Sequence, residues 1–587
     1  MTKFKINLTI ILVFFVFISC NNDLEIEINM LEEELIELKK INNLLELKNI
    51  IYEARISEIL ILELNNNTKT NTIILSFENG IYYEIPKDLL IDYEIDNANW
   101  LLNLTLNDST QISTFLLGDS LQLDNIILNP YDISPLTSKV NLKTPVNGKF
   151  ITKVIGQDGA NSNFIIKHDV YTRNHSLNIF GLYADYNNEV ELIFTNKDGI
   201  ERSRYTLNIK TDKIVYEFPE FNVEKYYDNY IQNTLFLINY RAPRFQSTPL
   251  MVDGFGKIRW YSDGFTRGGK YGLQLFKNGN IGFGKSGLGQ GSIFEYSLMG
   301  EMIREYSFYP EFENAHHDVY EMSNGNFLIP VNKVGIETIE DHIIEMDRNS
   351  GIIINVWDLR EILPMDRYTL RKIADGNDWV HVNAVIHDEN DNSIIVSGQT
   401  QGVFKISWDN KLKWILSPHK GWSSQYENFL LSNIGGDFEW NFGQHAPNIL
   451  PNGNILLFDN GFGRNFGSSS TDYSRAVEYS IVENHNGVGG TVNQIWQYGK
   501  ERGKEMFAPF ISDVDYLDNT SSIIITAGST AFDLNYTDSI NISLTRDISR
   551  IETRIIEVNK AKEVLFELTL SSEGRAGSTY RAEKLIF

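Results

Sequence analysis

Three of the ten histidines in this chain keep a common spacing. His317 lies in Glu313-Asn314-Ala315-His316-His317-Asp318, His381 in Asp378-Trp379-Val380-His381-Val382-Asn383, and His445 in Asn441-Phe442-Gly443-Gln444-His445-Ala446, with 64 residues separating each from the next. Side chains that recur at one phase of a structural repeat project from neighbouring units toward one place. Three converging imidazoles can bind zinc, divide the roles of acid, base and nucleophile on an anionic ester, or satisfy buried polar packing. His316 is an adjacent rival for the first position. His342, His387, His419 and His485 fall off the phase and are expected at the surface, while His168 and His175, away from any cluster of partners, are expected in packing or surface roles.

The repeat that would bring the three together is visible after about residue 225. Turn-plus-strand phrases recur at Lys277-Asn278-Gly279-Asn280-Ile281, Ser323-Asn324-Gly325-Asn326-Phe327-Leu328, Asp391-Asn392-Ser393-Ile394-Ile395, Pro451-Asn452-Gly453-Asn454-Ile455-Leu456 and Asn519-Thr520-Ser521-Ser522-Ile523-Ile524. Between them lie outer-strand phrases ending in tryptophan: Ile258-Arg259-Trp260, Asn355-Val356-Trp357, Leu412-Lys413-Trp414 and Gln494-Ile495-Trp496. An array of four-stranded units at such a period is a β-propeller signature, and about 360 residues at about 60 each give six blades over 225–587. The strand from Tyr580 to Phe587 is expected to close the ring against the first blade, removing exposed sheet edges.

Upstream, short β-rich runs alternate with turn signals from about 70 to 215, and they divide into a small β module over 68–125 and a β-sandwich over 126–218. The amino terminus reads as an export signal: basic Lys3 and Lys5, an apolar run from Ile10 to Ile18, then Ser19 before Cys20, the single cysteine. Phe17-Ile18-Ser19-Cys20 resembles a bacterial lipobox, which implies removal of 1–19 and a lipid anchor on Cys20. From Leu24 to Ile59 apolar residues step by four and three (Leu24, Ile28, Leu31, Leu35, Leu38, Leu45, Tyr52, Ile56, Ile59), with Asn42 and Asn49 interrupting the seam. That spacing predicts a coiled coil and a homo-oligomer through residues 22–66, with a helix folded along its own chain as the alternative. Asn65-Asn66-Asn67 is expected to be a linker closing the 20–67 segment. The fold class is therefore all-β behind one long helix. Net charge is 52 − 77 = −25, and loss of Lys3 and Lys5 makes it −27, which disfavours nucleic acid as a partner.

Further phrases carry a resemblance. Asp378-Trp379-Val380-His381-Val382-Asn383, Lys413-Trp414-Ile415-Leu416, Gln444-His445, Phe458-Asp459-Asn460-Gly461 with Arg464, Tyr473-Ser474-Arg475 and Gln494-Ile495-Trp496-Gln497-Tyr498-Gly499-Lys500-Glu501-Arg502-Gly503 resemble bacterial arylsulfate sulfotransferase, as does Gly181-Leu182-Tyr183-Ala184-Asp185-Tyr186. The resemblance runs from about 128 to the end. It implies a sandwich and a six-bladed propeller that move a sulfuryl group from a phenolic sulfate ester to an acceptor phenol, with no nucleotide donor, no metal and no other cofactor. It also implies His445 as the nucleophile that becomes a sulfohistidine in a ping-pong reaction, His381 and His317 at the sulfuryl and bridging oxygens with His381 moving the proton, and Asn383 and Arg464 on the substrate side. Two positions depart from the family pattern: Gln399 stands where the family has arginine, and Ile511 where it has threonine. Glutamine donates a hydrogen bond but lacks the charged fork of a guanidinium. A membrane-anchored propeller of weakened catalysis that binds a sulfated ligand is the alternative reading. The expected location is the bacterial cell envelope, as an outer-membrane lipoprotein facing the periplasm or the cell surface.

Overall fold

The computed structural model describes residues 22–57, 59–77, 80–96, 100–116, 121–241, 247–264, 270–285, 290–367, 377–466, 472–530, 552–571 and 578–587. Cys20 and the export signal lie outside them. No helix among the described residues is long and apolar enough to cross a membrane.

Helix α1 (Asn22–Ile56) presents two different stripes. Leu47, Ile51 and Ala54 are buried against two three-stranded sheets, Ile61–Asn67/Thr72–Phe77/Tyr82–Pro86 and Leu90–Asp96/Leu101–Leu106/Gln111–Phe115, and share one core with Leu75, Ile85, Leu102 and Leu104. Thr72–Phe77 and Leu101–Leu106 alternate buried and part-exposed residues, as sheets with one covered face do. The heptad stripe points elsewhere: Leu31, Leu38, Leu45 and Tyr52 are 49%, 57%, 56% and 64% exposed. Asn65-Asn66-Asn67, expected as a linker, instead ends the strand Ile61–Asn67. Asn65 pairs with Ile74, and the Asn67 side chain accepts from the backbone N–H groups of Lys69 and Thr70 in the following turn.

The next sheet is built on the long strand Ser138–Val154. Its first half pairs with Gln122–Leu128, its second with Asn187–Thr195, and Phe164–Ile179 pairs along both. The register shifts between Lys143 and Gly148, so the strand bends and serves two neighbourhoods. Glu201–Lys210 completes this sheet.

Among the described residues six sheets of four or five strands follow. Ser247–Asp253, Ile258–Tyr261 and Thr234–Arg241 form the first with the C-terminal strand Ser578–Ile586. Four later sheets begin with Lys270–Leu275, Phe312–Glu313, Val382–Asp388 and Asp513–Leu517; the last of these takes in Glu220–Lys225 from before the first. The fifth sheet opens on His445–Ile449 and carries a short parallel strand, Leu431–Asn433. Leading strands lie side by side: Val382–Asp388 touches Phe327–Lys333 and His445–Ile449, which touches Asp513–Leu517, which touches Ser578–Ile586.

Two sequence phrases explain why each unit forms. In the Asn-Gly-Asn turns, Gly279, Gly325 and Gly453 take φ of 82°, 88° and 82°, a region open to glycine, and the flanking asparagines donate to a carboxylate two strands on: Asn278 and Asn280 to Glu295, Asn326 to Glu345, Asn452 and Asn454 to Glu478. The outer-strand tryptophans bind consecutive sheets. Trp260 Nε1 donates to the Leu298 carbonyl, Trp357 to Ser407, Trp414 to the Glu483 carboxylate and Trp496 to Lys560, over 2.7–3.2 Å. Replacing Trp414, which is buried, with Ala is therefore expected to cost about 3–5 kcal/mol of unfolding free energy by denaturant titration, and Trp414→Phe only about 1–2.

Candidate active site

His445 begins the leading strand of its sheet and is 2% exposed. Its Nδ1 lies 2.7 Å from Asn460 Oδ1 and 3.1 Å from the Gly443 carbonyl. The Asn460 amide cannot be reversed, because its Nδ2 donates to the carbonyls of Ala508 at 2.7 Å and Ile511 at 2.8 Å. Both partners of His445 Nδ1 are thus acceptors, so Nδ1 carries the proton and Nε2 carries the lone pair. Burial depresses the pKa of this imidazole to about 3, against the hydrogen bond that its Nδ1–H donates to Asn460, so the ring is neutral over the physiological range. Gly461 takes φ of 70°, and a Cβ there would meet the Tyr473 carbonyl at 1.8 Å, so the chain can turn at this point only with glycine.

His317 and His381 come from the two preceding repeats, and their ring centroids are 4.7 Å apart. His317 has both nitrogens engaged, Nδ1 with Tyr580 Oη at 3.1 Å and Nε2 with Glu340 Oε2 at 3.1 Å. His381 Nδ1 lies 2.7 Å from Glu340 Oε2 and 2.7 Å from Asp378 Oδ2. Burial opposes a charge on His381, but the Glu340 and Asp378 carboxylates prevail and hold its pKa well above the ordinary value. Burial likewise opposes the charge of Glu340, yet His381, His317 and His316 keep it well below the usual carboxylate range. The ring of Tyr580, on the closing strand, has its centroid 6.1 Å from that of His445, and its hydroxyl bonds His317.

The remaining expected site residues divide. Asn383 is buried beside them, its Nδ2 donating to the Gln444 carbonyl at 2.8 Å and its Oδ1 unpartnered. Gln399 adjoins His381 through its backbone, N–H to the His381 carbonyl at 3.0 Å. Ile511 meets the site through its carbonyl, which accepts from Asn460, and it holds φ of 50°, unusual for a β-branched residue. The Arg464 guanidinium bonds Asp459 at 2.9 Å and the carbonyls of Trp440 and Tyr473, while its buried Nε has no hydrogen-bond partner among the described residues. His316 is buried, with Nε2 at 3.1 Å from Asn332 Oδ1 and its pKa lowered to about 4 by burial. His342 was expected at the surface; it is buried, held between Asp341 at 2.7 Å and Asp358 at 3.3 Å. His168 and His175 do pack as expected, on Thr152 and Thr144.

Sequence reading missed Glu340 and the role of Asn460. Glu340 lies 41 positions before His381 and arrives because its carbonyl accepts from Val382 N–H at 3.0 Å. Ligand atoms of His316, His317 and Glu340, and of Glu340, Asp378 and His381, lie within 4.8 Å of one another, the spacing a divalent ion would require. Within these groups His317 and His381 already bond to carboxylates, whereas His316 pairs with Asn332 through Nε2 and its buried Nδ1 has no hydrogen-bond partner among the described residues. A cavity of about 150 Å³ is lined by Asp318, Asp513, Asp515, Glu583 and Arg581, the residue after Tyr580. Arg581 bridges Asp318 and Asp513, and burial pushes Glu583 up to about 7.

A buried neutral imidazole with a free Nε2, facing a second imidazole held as a cation, suits transfer of a group to and from nitrogen. Comparison with known proteins agrees on the class. Residues 220–581 match the model of the arylsulfotransferase (ASST) family, and residues 125–212 match the arylsulfotransferase Ig-like domain. The chain belongs to the arylsulfotransferase family and is an enzyme of the aryl-sulfate sulfotransferase kind. Relatives include the arylsulfate sulfotransferase AssT of Escherichia coli O6:H1, 27% identical over 70% of this chain and 85% of the relative, and that of Lelliottia amnigena, 26% identical with the same coverage. Among solved structures, virginiamycin B lyase from Staphylococcus aureus overlaps 60% of this chain and 100% of its own at 10% identity and a TM-score of 0.30, too loose to carry an argument.

The tautomer assignment is open to direct measurement. In protein carrying ¹⁵N-labelled histidine, His445 should appear as the neutral Nδ1–H form across pH 5–8, and Asn460→Leu should lose that form in favour of the mixed or Nε2–H signature.

Proposed function

We propose that this chain carries a sulfuryl group from a phenolic sulfate ester to a second phenol through two displacements at His445. The lone pair of His445 Nε2 attacks sulfur, the bond between sulfur and the bridging aryl oxygen breaks, and the departing oxygen takes a proton from His381 Nε2. An acceptor phenol then returns a proton to His381 as its oxygen attacks the sulfur of the sulfohistidine, restoring the His445 lone pair. Atoms and protons balance without a cofactor. Sulfuryl transfer spreads charge over the non-bridging oxygens, so fixed donors there lower the barrier; Asn383 and Gln399 are the candidates. The observation that carries this reading is the His445 tautomer, Nδ1–H bound to Asn460 with Nε2 free. In this reading the six sheets are the blades of a six-bladed propeller over 225–587, beside the sandwich at 126–218 and the module at 68–125. Residues 1–19 direct export, and Cys20 holds the mature chain to the cell envelope by lipid.

The same reading includes self-association. Leu31, Leu38, Leu45 and Tyr52 form a stripe that the chain leaves uncovered while a different stripe of α1 packs on the β module. Asn42 and Asn49 sit on that exposed seam, the positions where asparagine sets register in a coiled coil. A second copy of α1 is the partner the pattern fits.

Incubation with 4-nitrophenyl sulfate alone should add one sulfuryl group to the His445 peptide, read by mass spectrometry. His445→Ala should remove that label and lower transfer by roughly 10³-fold or more. Because His445 must be neutral and His381 charged, kcat/KM should rise from the acid side, hold level through neutrality and fall only at alkaline pH, as His381 gives up its proton. If wild type takes no label, the sulfated-ligand binder replaces the enzyme reading. For the seam, sedimentation of mature chain without its lipid should give an oligomer, and Leu38→Glu with Leu45→Glu a monomer of unchanged circular dichroism.

A further inference from the structure

Three residues that meet at the site share an uncommon backbone state. Glu340, His317 and His381 take φ of 57°, 64° and 52°, in the left-handed region where residues other than glycine are strained. Such strain persists only where the surroundings over-determine it. For Glu340 they do, since its N–H donates to Asn332 Oδ1 at 2.8 Å and its carbonyl accepts from Val382 N–H at 3.0 Å. The carboxylate is thereby delivered between two imidazoles, with the single oxygen Oε2 at 3.1 Å from His317 Nε2 and 2.7 Å from His381 Nδ1.

We propose that Glu340 is the positioning residue of this site, a shared carboxylate that fixes the tautomers of His317 and His381 together and leaves His381 Nε2 as the one protonated nitrogen open to substrate. The assignment rests on the sulfuryl-transfer reading above and adds a residue and a division of labour to it. In this assignment His317 Nε2–H donates to Glu340 and His317 Nδ1 accepts the hydrogen bond of the Tyr580 hydroxyl. With both nitrogens occupied, His317 acts as a brace between the closing strand and Glu340, and its role is not a direct contact with the sulfuryl oxygens. His381 donates Nδ1–H into the pair Glu340 and Asp378 and keeps Nε2–H for the leaving aryl oxygen. The charged or titratable groups facing His381 are Glu340, Asp378, His316, His317 and His445, and only the first two are anionic. Removing one of two carboxylates should therefore move His381 strongly while leaving His445 where it is.

The test is Glu340→Gln in the full mature chain, with Glu340→Asp beside it. In histidine-labelled protein the His381 titration should fall by about 1–2 pH units in Glu340→Gln and stay within about half a unit of wild type in Glu340→Asp, which keeps the charge. The alkaline limb of kcat/KM should move by the same amount. Transfer from sulfates of weakly acidic phenols, which need a proton at the leaving oxygen, should fall about 10²–10³-fold, and from 4-nitrophenyl sulfate far less. An unmoved His381 titration with equal losses on both donors overturns the proposal, leaving Glu340 a packing residue. Stoichiometric metal in wild type that is absent from Glu340→Gln overturns it as well, because the cluster is then a cation site. The titration is read without turnover, so a wild type that forms no sulfohistidine defeats the transfer reading and still leaves a separate answer for the Glu340–His381 pair.

Discussion

The pairing of Thr234–Arg241 with Ser578–Ile586 is the interaction on which the rest of the array depends. It joins strands some 340 residues apart in sequence and turns a row of sheets into a set whose first and last members share strands, while Glu220–Lys225 makes the reciprocal exchange into the final sheet. Sheets in a row have two free edges, and each edge is a template for unwanted pairing. The closing strand also carries function. Tyr580 reaches His317, and Arg581 reaches Asp318 and Asp513, so the residues that complete the site arrive only when the array is closed. A chain lacking its last ten residues would lose the seal and a wall of the site together.

Electrostatics then separate two histidines of the same type. His445 is surrounded by amide and carbonyl groups, with no carboxylate bonded to its ring, and burial leaves it neutral. His381 is only partly exposed and faces two carboxylates, whose attraction exceeds the desolvation cost and keeps it charged. A nucleophile needs a lone pair and a proton donor needs a proton. Environments that push two imidazoles in opposite directions provide both within one cavity. The positive charge that an arginine would contribute at position 399 is absent, and His381, held protonated by its carboxylates, supplies a positive charge of its own.

Much of this was legible in the residues themselves. The 64-residue spacing located His317, His381 and His445, since equal phase in a repeat of sheets means a similar place near the start of successive sheets. The Asn-Gly-Asn turns and the outer-strand tryptophans marked the units because each phrase carries a local requirement: a positive φ, or an indole N–H that must find a carbonyl when buried. The heptad stripe of α1 was equally readable, although the parallel stripe of Leu47, Ile51 and Ala54 that docks on the chain's own sheets was not singled out. Asn65-Asn66-Asn67 misled, for polar residues serve as well in an exposed strand as in a linker.

What the sequence by itself determined were the features that depend on neighbours along the chain: strand and turn periodicity, the helical seam, the histidine phase, and the family to which the ordered motifs belong. Only the tertiary structure decided which proton sits where. Asn460 holds His445 because its amide is locked by Ala508 and Ile511, Glu340 bridges His317 and His381 because Val382 draws its backbone across from another sheet, and Arg464 is tied to Asp459. Hydrogen bonding and pKa depend on distances of a few ångströms between residues tens to hundreds of positions apart, and folding alone sets those distances.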